Sequence, residues 1–490
     1  MGIAQPALAS SVNAQTALED IRRAQQAWAA MPVAARLRIL SRFRGALAAD
    51  ARELAKAVSP NLARSEADTL VSEVLPLAEA CRFLEDRAEK LLAPRLLDDD
   101  GKPFWIGDAA MEIRREPLGV VLILGPYNYP LFLPGVQALQ ALAAGNAVIW
   151  KPGRDAAAVA HVMRRLLVAS GLDARLVTVT TEDPESAKEF IQAGVDKVAL
   201  TGSAETGVEV LRQLAPHLTP AVMELSGCDA AVVRDDADLG RAVHAITFGM
   251  RLNGGATCIA PRRVIAFESI AMVLEQRLAE AAAALPAVSV APDLAERARQ
   301  LVDQAIEHGA RRLAGSIGFD RISPVVLTDA SPRMALLQAD LFAPVLSIQR
   351  VRNDDEAAEA VEACPYALGA TVFGEERAAR ALAVRLNVGV VVINDAIVPT
   401  ADPRLPFGGR RRSGFGVTRG EEGLLEFTAL KTIACRRGSR VPHLDAPHPH
   451  DAELFAAYLA AVHGGSWRAR LKGFRNLAGV LRRRTLGGLQ

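Results

Sequence analysis

Cys258 lies near the end of the run Phe248–Arg262, FGMRLNGGATCIAPR, directly after Asn253-Gly254-Gly255-Ala256-Thr257. A thiolate nucleophile needs an accessible sulfur on a tight loop, backbone donors around it and a base supplied from elsewhere. The glycine pair allows the backbone conformations and close approach that such a loop demands. Glu224, upstream, ends the apolar stretch Ala221-Val222-Met223 and is followed by Leu225-Ser226-Gly227. A carboxylate at a strand end can serve as a general base. Alone, a cysteine among glycines is most often a small buried hydrophobe, so the surrounding chain has to decide.

The elements that would carry these residues are read from periodicity. Thr16 to Glu19 forms a capping-box pattern opening a helix through Met31. Pro32 to Ser59 and Glu66 to Leu92 carry apolar residues at helical spacing. A polar turn over Asp98–Pro103 ends this helical start. Strands and helices then alternate: strands over 119–124, 147–150, 176–179 and 198–200, helices over 131–144, 156–170, 183–193 and 207–214. Near-continuous apolar strands alternating with helices predict a parallel sheet covered on both faces. A second α/β series begins after Ala230 and runs to Ile393; residues 394–416 are rich in Pro, Gly and Arg and read as ordered loops.

The 490 residues suffice for two or three domains, and a net charge of +1 gives no case for a nucleic-acid partner. Five scattered cysteines without a CxxC pair read as a reduced protein with no metal site. The first thirteen residues lack a basic start and a long apolar core, so no signal peptide is expected, and the expected location is cytoplasmic.

The motifs together resemble the aldehyde dehydrogenase superfamily. Phe248…Asn253-x-Gly255-x-x-Cys258 and Glu224-Leu225-x-Gly227 look like its paired signatures. Gly125-Pro126-Tyr127-Asn128-Tyr129-Pro130, Lys151-Pro152, Thr201-Gly202-Ser203…Gly207, Leu341-Phe342-Ala343-Pro344-Val345 and Pro406-Phe407-Gly408-Gly409…Ser413-Gly414-x-Gly416 recur in family order. The resemblance spans roughly 17–435, and the wording around Arg115–Val120 and Cys258–Pro261 is closest to the short class 3 type, which takes fatty and aromatic aldehydes.

What the resemblance implies is an α/β fold of two doubly wound domains and a small β oligomerisation arm. Residues 1–98 and 118–224 would bind NAD(P) in Rossmann fashion, 225–400 would be catalytic, and 99–117 with 401–435 would form the arm of a homodimer. Cys258 would attack the aldehyde, Glu224 would activate water, and Asn128 with the Cys258 N–H would stabilise the oxyanion. Thr201, Gly202, Ser203 and Gly207 would meet the cofactor pyrophosphate, Lys151 its adenosine ribose, and Asp340 with Phe342 its nicotinamide end. The chain departs from the family pattern at several positions. Ala256 replaces Gln, Ser226 and Cys228 replace Gly and Lys, Asp340 replaces Glu, and Tyr127 replaces Trp. Arg154 occupies the position near the ribose 2′-OH where an acidic residue is common, favouring NADP or both nicotinamides over NAD alone.

Tyr129, Leu133 and Val136 would fall on one helical face beside Asn128, an apolar entrance suited to an aliphatic or aromatic aldehyde; core packing is the alternative. Two other functions compete: an acyl-thioester or acyl-phosphate reductase, and a degenerate, non-catalytic homologue. Beyond the family core, 436–490 is a basic C-terminal extension whose Pro442–His450 stretch reads as a linker. Within 467–484, Trp467, Leu471, Phe474, Leu477 and Leu481 recur at helical spacing among seven Arg/Lys residues. Such a helix can lie on an anionic membrane surface or pack on the enzyme itself.

Overall fold

The computed structural model describes residues 13–58, 61–62, 64–439 and 441–487. It has two compact units: the chain up to Arg95 together with Ile113–Lys431, and Leu96–Glu112 together with the chain from Thr432 onward.

In the first unit a six-stranded sheet runs in the order Gly414–Phe415, Ala221–Leu225, Lys197–Gly202, Val120–Leu124, Ala147–Lys151, Val177–Val179. Every neighbouring pair is parallel except the edge pair, where Gly414 lies antiparallel to Glu224. Val120–Leu124 is buried throughout, as a strand covered by helices on both faces must be. The second series builds an eight-stranded sheet. Its order is Val288–Ser289, Arg321–Thr328, Val345–Val351, Arg263–Phe267, Ala230–Val233, Gly369–Phe373, Val390–Ile393, with Arg311–Ile317 paired to Arg321–Thr328. The α/β class therefore stands. Residues 401–435 are not all arm: Gly414–Phe415 joins the first sheet, and Arg410–Arg411 pairs with Tyr366–Ala367.

The N-terminal helices differ in detail from their expected bounds. The first runs Ala14–Ala29 and is capped by Asn13, not by Thr16. The second stretch divides into Val33–Ala49 and Ala51–Ala57. The third contains a π-helical turn, Leu70–Val74, between Glu66–Thr69 and Leu75–Leu92. That wide turn carries Glu73, whose carboxylate is fully buried against Arg64 at 2.6 Å. Glu73 Oε2 also accepts the N–H groups of Leu131 and Phe132 at 2.9 and 2.8 Å. The helix Phe132–Ala144 has no side-chain cap of its own, so a carboxylate from another helix satisfies its first donors. Removing one partner of such a buried pair costs about 3–5 kcal/mol, which makes this contact a strong constraint on the Asn128–Tyr129 turn just ahead of the helix.

In the second unit Asp451–His463 and Trp467–Gly487 form a helical hairpin. A side chain at Gly473 would lie 2.2 Å from the Ala461 nitrogen, so glycine there is what lets the two helices touch. Ala457, Ala461 and Val480 are buried in the hairpin, while Phe455, Leu459, Trp467, Leu471 and Phe474 are exposed. A separate three-stranded sheet runs Arg95–Leu97, Ala109–Pro117, Thr428–Arg436. No helix among the described residues is long and apolar enough to cross a membrane.

Candidate active site

The C-terminal ends of the first sheet's strands open onto a cleft of about 1650 Å³, and Cys258, Glu224 and Asn128 all line it. Parallel strands converge their C-terminal ends on one side, so residues distant in sequence meet there.

Cys258 follows three consecutive residues with left-handed backbone, Asn253, Gly254 and Gly255. A Cβ on Gly255 would meet the Ala343 carbonyl carbon at 2.9 Å, which ties this turn to the Leu341–Val345 segment. Arg262, 5% exposed, gathers the same loop from beneath. Its guanidinium donates to the carbonyls of Gly255, Thr257, Cys258, Ala260 and Leu341, and stacks 5.0 Å over Phe342. One fixed cation thus binds four carbonyls of the irregular loop and joins them to the Leu341 carbonyl.

Asn128 Nδ2 donates to the Ala256 carbonyl at 2.8 Å, and Asn253 Nδ2 donates to the Asn128 carbonyl at 3.0 Å. A carboxamide has two N–H donors, so Asn128 keeps one for a ligand. Glu224 is 3% exposed; its Oε2 accepts from Thr418 Oγ1 at 3.2 Å and its Oε1 has no partner among the described residues. Burial pushes the Glu224 carboxyl up, opposed by Arg419 and by the Thr418 bond. The thiol of Cys258 is not at a helix N-terminus and is not lowered. Burial, then the Glu224 and Asp229 carboxylates, push it up to about 12, while Arg262 and Arg419 pull it down.

Of the entrance trio, Leu133 alone lines the cleft. Tyr129 precedes the helix, which starts at Phe132, so the expected helical face does not form. Its ring instead lies under Arg64 at 5.0 Å, and its hydroxyl meets Thr257 Oγ1 at 2.6 Å, beside Cys258. Val136 packs in the main hydrophobic core.

Lys151, Arg154, Thr201, Gly202, Ser203, Asp340 and Phe342 line the same cleft. Ser203 caps the helix Ala204–Leu214, leaving that N-terminus facing the cleft. Arg154 stacks 5.7 Å over Tyr127. Lys151 is half-buried, and burial lowers it against the pull of Glu182 and Asp183. Gly207 stands apart from the lining: a Cβ there would strike Leu225 at 2.8 Å, so it serves helix–sheet packing. Asp340 is already engaged on both oxygens, by Ser226 Oγ at 2.6 Å and Arg297 Nη2 at 2.9 Å. A helix N-terminus with flanking cations fits a dinucleotide.

The aldehyde dehydrogenase family model matches residues 2–433. The chain belongs to the aldehyde dehydrogenase family. It is 32% identical over 434 residues to an NADP(+) succinate-semialdehyde dehydrogenase of Deinococcus radiodurans, covering 84% of this chain and 89% of that one. It is 30% identical over 465 residues to the 4,4'-diapolycopene aldehyde oxidase of a Methylomonas species, covering 92% and 87%. Among solved aldehyde dehydrogenases, the salicylaldehyde dehydrogenase of Pseudomonas putida G7 superposes with a TM-score of 0.81 at 23% identity, covering 88% of this chain and 91% of that one, which shows the shared fold.

Sequence reasoning missed Arg419, Thr418, Arg262 and Arg297, four residues that contact or surround this aldehyde dehydrogenase cleft. The one signal for Arg419 and Thr418 was their position just past Gly416, the end of the last glycine motif.

Proposed function

We propose that this aldehyde dehydrogenase oxidises an apolar aldehyde to its carboxylic acid with NADP or NAD. The convergence of Cys258, Glu224 and Asn128 on one cleft, next to a helix N-terminus able to hold a pyrophosphate, carries the reading. The Cys258 thiol first gives up its proton to water in the cleft, its sulfur adds to the aldehyde carbon, and the oxygen that gains the electron pair is held by Asn128 Nδ2 and the Cys258 N–H. Losing one such donor typically costs about 10²–10³ in rate. Bound nicotinamide would supply the hydride acceptor. Loss of hydride from the thiohemiacetal carbon restores the carbonyl as a thioester. Glu224 takes a proton from water, hydroxide adds to the thioester, and the C–S bond breaks to release the acid.

Lys151, Thr201, Gly202 and Ser203 would hold the dinucleotide, and Arg154 would meet a 2′-phosphate. Leu133, Met250 and Leu252 line the cleft and favour an aliphatic or aromatic aldehyde. The names of the relatives divide between a polyene aldehyde and a small acidic one, so an aldehyde panel with both nicotinamides, with and without CoA, is the decisive assay. The reading requires NAD(P)H formation without CoA. CoA-dependent turnover would favour the acyl-thioester reductase instead, and no turnover at all would favour a degenerate homologue.

In this reading 1–98 with 118–224 binds the cofactor and 225–400 carries the nucleophile. The exposed strand Thr428–Arg436 would contribute to a homodimer, to be checked by light scattering. The basic helix of the C-terminal extension would touch an anionic membrane peripherally.

A further inference from the structure

Arg419 is an anomaly in the fold. It is 4% exposed, takes a left-handed φ of 63°, and is held in place by contacts that leave its charge uncompensated. Its guanidinium lies 4.3 Å over the Phe407 ring and 5.6 Å over Phe132. Nη1 donates to the Thr400 carbonyl, and the backbone N–H donates to Gln140 Oε1 at 3.3 Å. Among the described residues Nε has no hydrogen-bond partner and no carboxylate forms an ion pair with Arg419. A buried cation without a paired anion is unfavourable unless a nearby charge answers it.

The charge that answers it is Glu224, whose Oε1 is likewise buried and without a partner among the described residues. The preceding residue, Thr418, already binds Glu224 Oε2 and is bridged to Phe407, while Gly414, a few residues earlier, pairs with Glu224 itself and ties this segment to its strand. The charged group that acts on Glu224 is Arg419, and both act in turn on Cys258, which also feels Asp229 and Arg262.

We infer that Arg419 is a positioning residue acting through Glu224: a fixed counter-charge that keeps this carboxylate ionised and aimed at the cleft, and so sets the pH range in which the thioester is hydrolysed. The inference rests on the proposed role of Glu224. Gln140, on the helix that begins after Asn128, holds the Arg419 backbone, so the counter-charge is fixed to the same helix that positions the Asn128 turn. Its effect extends to Cys258, whose thiol Arg419 pulls down.

The test uses the full chain and two readouts, the pH dependence of Cys258 alkylation by iodoacetamide and the pH profile of kcat. Arg419→Met keeps the packing between Phe132 and Phe407 and removes the charge. It is expected to move the acidic limb of kcat and the alkylation midpoint upward by about one unit or more, with Arg419→Lys restoring most of both. Unchanged midpoints in the Met variant overturn the inference, whatever happens to its melting temperature. Should the Met variant not fold, the Lys variant decides: midpoints near wild type support a charge effect, and midpoints displaced by a unit or more reject it. Alkylation needs no turnover, so a moved alkylation midpoint in a chain that oxidises no aldehyde would retire the proposed function while leaving the counter-charge in place.

Discussion

Ser226 Oγ donates to Asp340 Oδ2 across 2.6 Å, and both residues depart from the family pattern. The shorter aspartate cannot reach as far as glutamate, and the hydroxyl that replaces a bare glycine fills the difference. Arg297 holds the other oxygen, so the carboxylate is fixed from two sides. The two departures therefore read as one coupled change. Asp340→Glu alone is expected to crowd Ser226 and raise KM for the nicotinamide cofactor, and Ser226→Gly alone to loosen the same site. The double variant should recover most of the loss, with a coupling of about 1–3 kcal/mol in a double-mutant cycle. Additive effects on KM would show that the pair is not coupled.

Cys258→Ala should abolish oxidation while leaving cofactor binding and folding intact. Glu224→Gln should release one burst of NAD(P)H and then stall at the thioester, read by stopped-flow absorbance. The same variant removes a carboxylate that raises the thiol. Its alkylation midpoint should therefore fall below that of wild type. Normal steady turnover by the glutamine variant would move the deacylation role to another residue.

Arg154 governs the third expectation. A guanidinium meets a 2′-phosphate with paired hydrogen bonds, whereas a carboxylate repels it. Arg154→Glu should lower kcat/KM for NADP by tenfold or more and leave NAD within a few-fold. A wild type that strongly prefers NAD, with no change on substitution, rejects the assignment.

The sheets were legible because buried parallel strands read as apolar runs, as Val120–Leu124 and Ala147–Trp150 do. Cys258 and Glu224 were singled out through the resemblance of their motifs, since a cysteine among glycines alone reads as a small buried hydrophobe, and their meeting in one cleft appears only in the fold. Tyr129 was placed on the helix with Leu133 for want of a non-local contact: the two share helical spacing, yet Glu73, more than fifty residues earlier, holds the N–H groups at the helix start, Phe132. The raised thiol was not legible either, since Asp229, Glu224 and Arg419 act on it only once strands from three parts of the chain converge. Arg262 looked like an ordinary basic residue after a proline, and its five carbonyl partners appear only when the loop closes around it.

Asp229 provides a pH test of the buried corner behind Cys258. Burial pushes its carboxyl up to about 8 from 3.8, against the opposing Gly369 N–H, Arg262 and Arg263. A carboxyl raised in the folded state is fully stabilised below its unfolded value, and that contribution disappears as pH rises through the folded value. Wild type should therefore lose stability relative to Asp229→Asn between about pH 4 and pH 8, the window set by those two values. Melting temperatures of the two proteins across that range check it; parallel curves would mean that Asp229 does not titrate there.

The C-terminal hairpin leads to the last expectation. Gly473, which weakens an isolated helix by about 1 kcal/mol relative to alanine, here serves the contact with Ala460 and Ala461. That contact uses one side of the basic helix and leaves Trp467, Leu471 and Phe474 exposed on another. Arg483 is paired with Glu453, and Arg470 donates to the Gly464 carbonyl, while Arg468 stacks on Trp467. Cations beside an exposed apolar row suit an anionic bilayer surface, where each contributes about 1 kcal/mol. Full-length protein should co-sediment with vesicles containing phosphatidylserine and not with neutral ones, and binding should fall as salt rises. Trp467→Glu with Leu471→Glu should abolish that binding without changing turnover of a water-soluble aldehyde. If the double variant binds anionic vesicles as well as wild type, the exposed row is not what touches the membrane.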